Sequence, residues 1–541
     1  MLGITPLKQC DTSDPYLLLY GEGNRAIMRR TDQPTAQLND VPQLAPSSTM
    51  RTRLLSCVFV LLAGLVASLV AVCVMGILRV AAGTPTPVEL FSYFVLKHLS
   101  AFKFVDLQVA FAPNSKTTPL GLAVLGMIAA GTILSLLYAP LVRLRLPVDG
   151  SRPQRREWVI ALAFGVILTL IGSILFQEEL RQNQFGFPIL QSTLLSILAL
   201  LGDFIAYAVV LCLAYRAIVP KQAAIVANPT AGRRLLLSRA GVAALGVGAG
   251  AGTLGAISQY LKGYTSYDGI RTPSPQNVTS PITPNDQHYV VTQNTVDPTV
   301  NADVWQLEVT GFVGNPGVYN YEALQQLPST SRAITLECIA NEVGAHLMST
   351  AVWQGVTLKT VLEQRGGSTA AAKYVAFFSV DGYTVSLPLA EVLEVDALLA
   401  WRMNGEVLPQ RHGFPLRVLI PGRFGEENPK WLTRVELTDH FVGGLYSDQH
   451  WYNGPLHLTS RIDRPQGNVA VGRPVEVGGI AFGGSLGIQK VEVSTDTGLT
   501  WNEVTLQPPL SKDAWVLWTW QWTPATPGKH TLVVRATNGK G

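Results

Sequence analysis

Five long apolar stretches in the first half of the chain constrain its fold more than any other feature. They run roughly Leu54 to Val80, Leu120 to Val142, Trp158 to Gln177, Ile189 to Tyr215 and Leu235 to Tyr260. An α-helix needs about 20 apolar residues to cross a bilayer, and each stretch supplies close to that. In hydrocarbon every backbone N–H and C=O must be paired within the segment, so stretches of this kind form helices. The fifth is the weakest, being rich in Gly and Ala (AGVAALGVGAGAGTLGAIS). Across all 541 residues 48% are hydrophobic and only 14% charged, and the charge deficit lies in the first half. The chain is therefore expected to join a transmembrane bundle to a soluble part.

Flanking charge orients the spans. Arg29, Arg30, Arg51 and Arg53 precede the first; Arg143, Arg145, Arg152, Arg155 and Arg156 follow the second; Arg216, Lys221, Arg233, Arg234 and Arg239 lie around the start of the fifth. The alternate loops are not Arg-rich. One holds Lys97, Lys103 and Lys116, the other Glu178, Glu179 and Arg181. A cytoplasmic tail (1–50) would lead into a four-helix region (51–220). A basic segment with the fifth helix (221–262) would then carry the rest of the chain to the outer face of the cell membrane. Arg233-Arg234 before LLLSRAGVAALGVGAGAG also fits a twin-arginine export signal, which serves proteins folded around a cofactor before translocation; an ordinary positive-inside anchor is the plainer reading.

Haem in a bundle needs inward His or Met ligands. The spans contain no histidine, His98 falls in the first external loop, and Met75 and Met127 are isolated, so no b-type haem is expected here. Asp203 is the one acid inside an apolar span. Intramembrane carboxylates are functional candidates, but a hydrogen bond between helices explains this one more simply. The net charge of +4 is spread thinly, with no basic stripe and interleaved aromatics, which argues against nucleic acid as a partner.

Beyond a Pro-, Thr- and Ser-rich linker (263–284, continuing extended toward residue 300), short β-like runs alternate with turns and a few helical patches. Helices are expected near Tyr321, over Leu358 to Gln364 and over Leu389 to Val395. The mixture indicates an α+β domain over 285–445. Residues 460–541 carry an all-β pattern: VEVSTDTGLTW alternates by twos around a turn, and WVLWTWQW and HTLVVRAT follow. Trp501, Trp515, Trp518, Trp520 and Trp522 fit the core and faces of a sandwich.

Cys338 is the only cysteine after Cys212, and no CxxC or Cys/His zinc spacing occurs. Core packing explains a lone buried cysteine well. In an oxidising compartment, however, a free thiol needs a further reason. Metal ligation supplies one, because soft thiolates suit redox metals and bind deprotonated.

The stretch around it resembles the molybdopterin-binding domain of the sulfite oxidase family. The matching blocks are WQLEVTGFVGNPGVYNYEALQQLPS, the cysteine loop ITLECIANEVGAHLMSTAVWQGVTL, DGYTVSLPL, LLAWRMNGEVLPQRHGFPLRVLIPG and NPKWLTRVEL, in the family's order over most of residues 288–440. The resemblance implies a molybdenum–molybdopterin cofactor with Cys338 as the thiolate ligand. It also implies that His412 and Arg417 of HGFPLR, Lys430 of PKW, Asp381 and Asn294 contact the pterin and phosphate. It makes 460–541 an immunoglobulin-like β-sandwich of the kind that often mediates dimers, although the shortened end puts dimerisation in question.

The departures bear on substrate. Sulfite oxidases surround their oxyanion with arginines. Here Asn341 is followed by Glu342 and Val343, and Gln293 stands where a basic residue is expected before Asn294. An anion would lose its strongest partners and meet repulsion from Glu342, unless Glu342 is only a solvated loop carboxylate. The reading is an outward-facing, membrane-anchored molybdenum oxidoreductase. It would transfer oxygen atoms to or from a small molecule other than sulfite and exchange electrons with a separate carrier, since the chain carries no haem, iron–sulfur or nucleotide motif. The alternatives are a sulfoxide-type reductase of the same family and a non-catalytic external binding module.

Overall fold

In the computed structural model the described residues are 50–100, 117–142, 153–218, 279–294, 296–452 and 454–540, with a few positions between them. The N-terminal tail, the fifth apolar stretch, Arg233-Arg234 and most of the linker lie outside the described residues. Among the described residues, four helices are long and apolar enough to cross a membrane. They are α1 (Met50–Ala82) and, after the short α2 (Pro87–His98), α3 (Thr117–Val142), α4 (Arg155–Leu175) and α5 (Ile189–Ile218).

Small residues let these helices approach closely, as in membrane bundles generally. Gly64 of α1 faces Ser135 of α3, and Gly165 of α4 lies against Phe204 and Ile205 of α5. Ser135 donates to the Val60 carbonyl at 3.1 Å. Arg216 at the end of α5 pairs with buried Glu157 at the start of α4. Asp203 is buried in α5, but its Oδ1 finds no hydrogen-bond partner among the described residues, so that oxygen does not form the expected bond between helices.

The described residues after α1 hold a further helix, α2, and His98 is its last residue. Thr86 Oγ1 accepts from Glu89 N at 3.1 Å while Glu89 Oε2 accepts from Thr86 N at 2.7 Å. This reciprocal cap, with Pro87 as the first helical residue, starts the helix.

The β-rich domain follows. Its elements are β1 (Gln306–Gly311), β2 (Gly317–Asn320), α6 (Tyr321–Gln325), β3 (Thr330–Glu337), β4 (Met348–Thr357), α7 (Leu358–Gln364), β5 (Tyr374–Ser379), β6 (Thr384–Pro388), α8 (Leu389–Glu394), β7 (Leu398–Met403), β8 (Glu406–Val407), β9 (Arg417–Leu419) and β10 (Leu432–Thr438). One sheet has the order β2-β1-β10-β5-β6, with β1 parallel to β10; the other runs β3-β4-β7-β8, with β9 also paired to β7. The three helices expected from sequence are present, the third ending at Glu394. Asn320 and Thr357 cap the first two, accepting from Ala323 N at 2.8 Å and Thr360 N at 3.1 Å. The core holds Trp305, Phe377, Leu399, Val418, Trp431 and Val435. Trp305 and Trp431 are anchored through Nε1 to the carbonyls of Leu432 (2.9 Å) and Gln410 (2.7 Å).

The last elements are β11 (Thr459–Arg464), β12 (Val475–Phe482), β13 (Ile488–Ser494), β14 (Asn502–Glu503), β15 (Thr505–Leu506), β16 (Val516–Trp522) and β17 (Val533–Asn538). They form two sheets, β11-β12-β16-β15 and β14-β13-β17. Val477, Val491, Val493 and Trp518 share one core between them. The first of these sheets braces the cysteine loop from behind. Trp515 N donates to Thr335 Oγ1 at 2.8 Å, and Arg461 Nη1 donates to the Ala345 carbonyl at 2.8 Å.

The bundle also touches the β-rich domain. Arg79 pairs with Glu89 at 2.9 Å and donates to the Asp297 carbonyl at 3.2 Å. Thr433 donates to Asn183 Oδ1 at 3.2 Å, and Asn301 N to the Phe185 carbonyl at 3.1 Å.

Candidate active site

Cys338 is the first residue after β3, in the turn that leads to β4. Its N–H donates to the Leu347 carbonyl and its carbonyl accepts from Asn341 N, both at 2.9 Å. The Asn341 side chain ties the turn further, donating to Glu337 Oε1 and accepting from Leu347 N, each at 2.9 Å. The loop thus holds the thiol rigidly at the edge of the sheet. Cys338 is 8% exposed and lines a partly open recess.

That recess gathers most of the residues singled out in the sequence. Asp381, His412, Arg417 and Lys430 line it together with Cys338. Asn294 stands beside them, buried, donating Nδ2 to Asp381 Oδ2 at 2.7 Å. Asp381 sits in the β5–β6 turn, where Gly382 takes φ +74° and Tyr383 N donates back to Asp381 Oδ1 at 3.2 Å.

Two ends of the recess differ in charge. At one end His412 Nε2 donates to the Asn285 carbonyl at 2.8 Å. Burial, reinforced by nearby Arg417, Lys430 and Arg411, pushes this imidazole down to about 3. It is therefore neutral at pH 7, and its Nδ1 is an acceptor. His288 packs edge-on to it at 5.1 Å and is held well below the usual histidine range, first by burial and then by His412. Arg417 donates Nη1 to the His412 carbonyl at 3.1 Å and Nη2 to the Asn428 carbonyl at 3.3 Å, and it lies over the Trp353 ring at 4.8 Å. Its fork is thus partly committed to the protein, and Nε remains without a partner. Lys430 donates to the Val291 and Arg411 carbonyls at 3.3 and 3.2 Å.

At the thiol end, burial pushes Cys338 up to about 12, and Glu426 and Glu337 add to the rise. A bare thiol there is protonated at neutral pH. Glu426 lines the recess with both carboxylate oxygens buried and unpartnered; burial and then Glu427 push it up to about 8. Tyr383 and Tyr446 complete this end, and Tyr383 donates to the Glu426 carbonyl at 2.7 Å.

Sequence reasoning missed His288, Tyr289, Glu426, Tyr383 and Tyr446. The first two lie just before Asn294 in an irregular segment without periodicity, and Glu426 belongs to a turn whose composition looks solvated. The structure also corrects the role expected of Glu342. Glu342 and Val343 are exposed at the tip of the cysteine loop and do not line the recess. The Asn341 bonds fold that tip outward. Gln293, by contrast, does line it.

A rigid lone thiol, a neutral imidazole, the buried cation Arg417 and the half-buried Lys430 gather around one recess, an arrangement suited to holding a cofactor. Orphaned buried atoms, Arg417 Nε, Asn294 Oδ1 and His288 Nε2, show that these residues suit a large polar group. Residues 294–446 match the family described as oxidoreductase molybdopterin binding domain. The chain is 31% identical over 300 residues to the mitochondrial sulfite oxidase of Rattus norvegicus, covering 46% of this chain and 54% of that one. It is 31% identical over 274 residues to the human enzyme (41% and 49%), and 29% identical over 286 residues to the NADH nitrate reductase of Petunia hybrida (42% and 31%). The chain thus spans about half the length of the sulfite oxidases it matches. A structural likeness to the sulfane dehydrogenase SoxCD from Paracoccus pantotrophus has a TM-score of 0.45 at 23% identity, over 51% of this chain and 79% of that one. Residues 294–446 thus form a domain similar to the molybdopterin-binding oxidoreductase domains of sulfite oxidases and nitrate reductases.

Proposed function

We propose that the protein is an outward-facing, membrane-anchored molybdenum enzyme that moves an oxygen atom between water and a small substrate other than sulfite. The observation that carries this reading is the convergence of Cys338, Asp381, His412, Arg417 and Lys430, scattered over 93 positions of sequence, on one recess. The cofactor supplies the oxygen-transfer and electron chemistry when bound. Cys338 would hold the metal as a thiolate. Arg417 Nε, Lys430, His412 Nδ1 and the Asn294–Asp381 pair would bind and orient the pterin and its phosphate. Electrons would pass to a separate carrier.

Several further parts belong to the same reading. The proposed domain limits are 285–445 and 460–541; the sheets at 306–438 and 459–538 support a division into two parts. The two-sheet C-terminal part supports an immunoglobulin-like sandwich. The four apolar helices are compatible with a membrane anchor, and the charge bias of the loops supports the outer face for the enzyme.

A second reading, reduction of sulfoxide-type substrates, is favoured by one observation. The thiol end presents Glu426 and two phenols in place of guanidinium groups, and Gln293 replaces a base. This surface suits a neutral hydrogen-bonding substrate better than an oxyanion. Purified protein should contain molybdenum and pterin in equal amounts. It should reduce a sulfoxide with a viologen donor, or oxidise a neutral sulfur compound with a dye acceptor, far faster than it oxidises sulfite. Absence of molybdenum from well-folded protein overturns the first reading; fast sulfite oxidation overturns the substrate assignment.

A further inference from the structure

A second cavity, of about 500 Å³, lies between the membrane bundle and the oxidoreductase domain. Its bundle wall carries Tyr93 of α2 with Glu178 and Gln182 from the α4–α5 connection. Its domain wall carries Gln293, Asp381 and Tyr383, which also line the thiol recess. The two spaces share these three residues as a common wall.

The cavity sits where the bundle would leave the bilayer. Tyr93 follows the end of α1 by eleven positions and Glu178 follows the end of α4 by three. Helix α2 buries Val88, Leu90 and Tyr93 and exposes Phe91 and Val95. A short helix with apolar residues on its outer face, placed beside span ends, is what an interfacial position requires. The lining is mixed, with carboxylates, amides and phenols and the apolar surface of Val442 and Leu445. Such a set suits a flat ring carrying groups that alternate between hydrogen-bond acceptor and donor. Its lining comes from bundle and domain together beside the span ends, a place that a small lipid-dissolved carrier can reach.

We propose that this cavity binds the ring of a membrane quinone, a two-electron, two-proton carrier, beside the thiol recess. The inference rests on the oxidoreductase reading and names its electron partner. The balance is X + H2O + Q = XO + QH2. In one direction substrate X takes its oxygen from water, and two electrons and two protons leave on the hydroquinone. In the other the hydroquinone is oxidised and the oxygen of XO leaves as water. Asp381 on the shared wall and Tyr93 on the bundle wall both line the cavity and are placed to pass protons there. Burial holds both above their ordinary ranges, and each is near enough for the Asp381 charge to raise Tyr93 further.

The test uses the full chain in detergent, with a short-tailed ubiquinone as probe in equilibrium dialysis. Wild type should bind it saturably. Gln182→Leu removes an amide from the bundle wall, and Val442→Trp fills the cavity from its exposed side; each should weaken binding at least tenfold. Val471→Trp, on an exposed loop of the C-terminal sheets, should leave binding unchanged. If Gln182→Leu fails to fold, Val442→Trp decides alone, because residue 442 is already surface-exposed. No saturable binding to wild type, or wild-type affinity in the folded variants, overturns the inference. Molybdenum is measured on the same samples. Metal without quinone binding sinks the quinone site alone, whereas site-specific quinone binding without metal sinks the enzyme reading and keeps the site.

Discussion

Arg417→Ala removes a cation that serves the fold and that the proposed function assigns to the cofactor. In the wild type its guanidinium donates to the carbonyls of His412 and Asn428 and lies over Trp353. Hydrogen bonds from a charged donor contribute about 1.5–3 kcal/mol each, so the two together give about 3–6 kcal/mol gross. Relief of the cation's desolvation cost offsets part of this, leaving a net loss of about 2–4 kcal/mol. For a domain of this size the drop in melting temperature is then roughly 5–15 °C. Molybdenum content should fall at the same time, because Nε is the donor left for the phosphate end. Arg417→Lys keeps the charge without the planar fork. It should recover part of the melting temperature but little of the metal. The assays are thermal unfolding of the full chain in detergent and metal analysis of the same sample. Full metal loading with an unchanged melting temperature in Arg417→Ala would refute the reasoning. Full recovery of both by lysine would remove the argument from the fork.

Three further outcomes are expected. Cys338→Ser should abolish turnover while leaving the melting temperature within a few degrees, since a hard, protonated hydroxyl replaces a soft thiolate at the metal; wild-type activity in that variant would remove the ligand assignment. His412 is neutral when folded, with its titration lowered from about 6.5 to about 3. Its contribution to stability is complete above about pH 6.5 and declines as pH falls toward 3, because the unfolded chain then binds a proton that the folded one does not. His412→Gln should flatten the acid side of a melting-temperature profile, and an unchanged slope would contradict the burial argument. A reporter active only outside the membrane should work when fused after Gly263 and fail in the Arg152–Arg156 loop; the reverse pattern would place the enzyme in the cytoplasm.

The sequence by itself determined the first four long apolar helices, because an unbroken apolar run of that length satisfies its own backbone as a helix. It also determined the three short helices of the β-rich domain, whose caps at Asn320 and Thr357 are local chemistry. The cysteine and its companion blocks were legible as a set, since the order of motifs survives in one dimension. What the tertiary structure decided was how these residues are used. Arg417 looked like a phosphate ligand and is half committed to backbone carbonyls. Glu342 looked like a repulsive wall and lies in solvent, while Glu426, five positions before Trp431 in an unremarkable turn, takes the place beside the thiol. Helix α2 and the cavity beneath it were invisible as well. Burial and long-range contact are properties of the packed chain, and a side chain's charge state and function depend on which distant segments close around it.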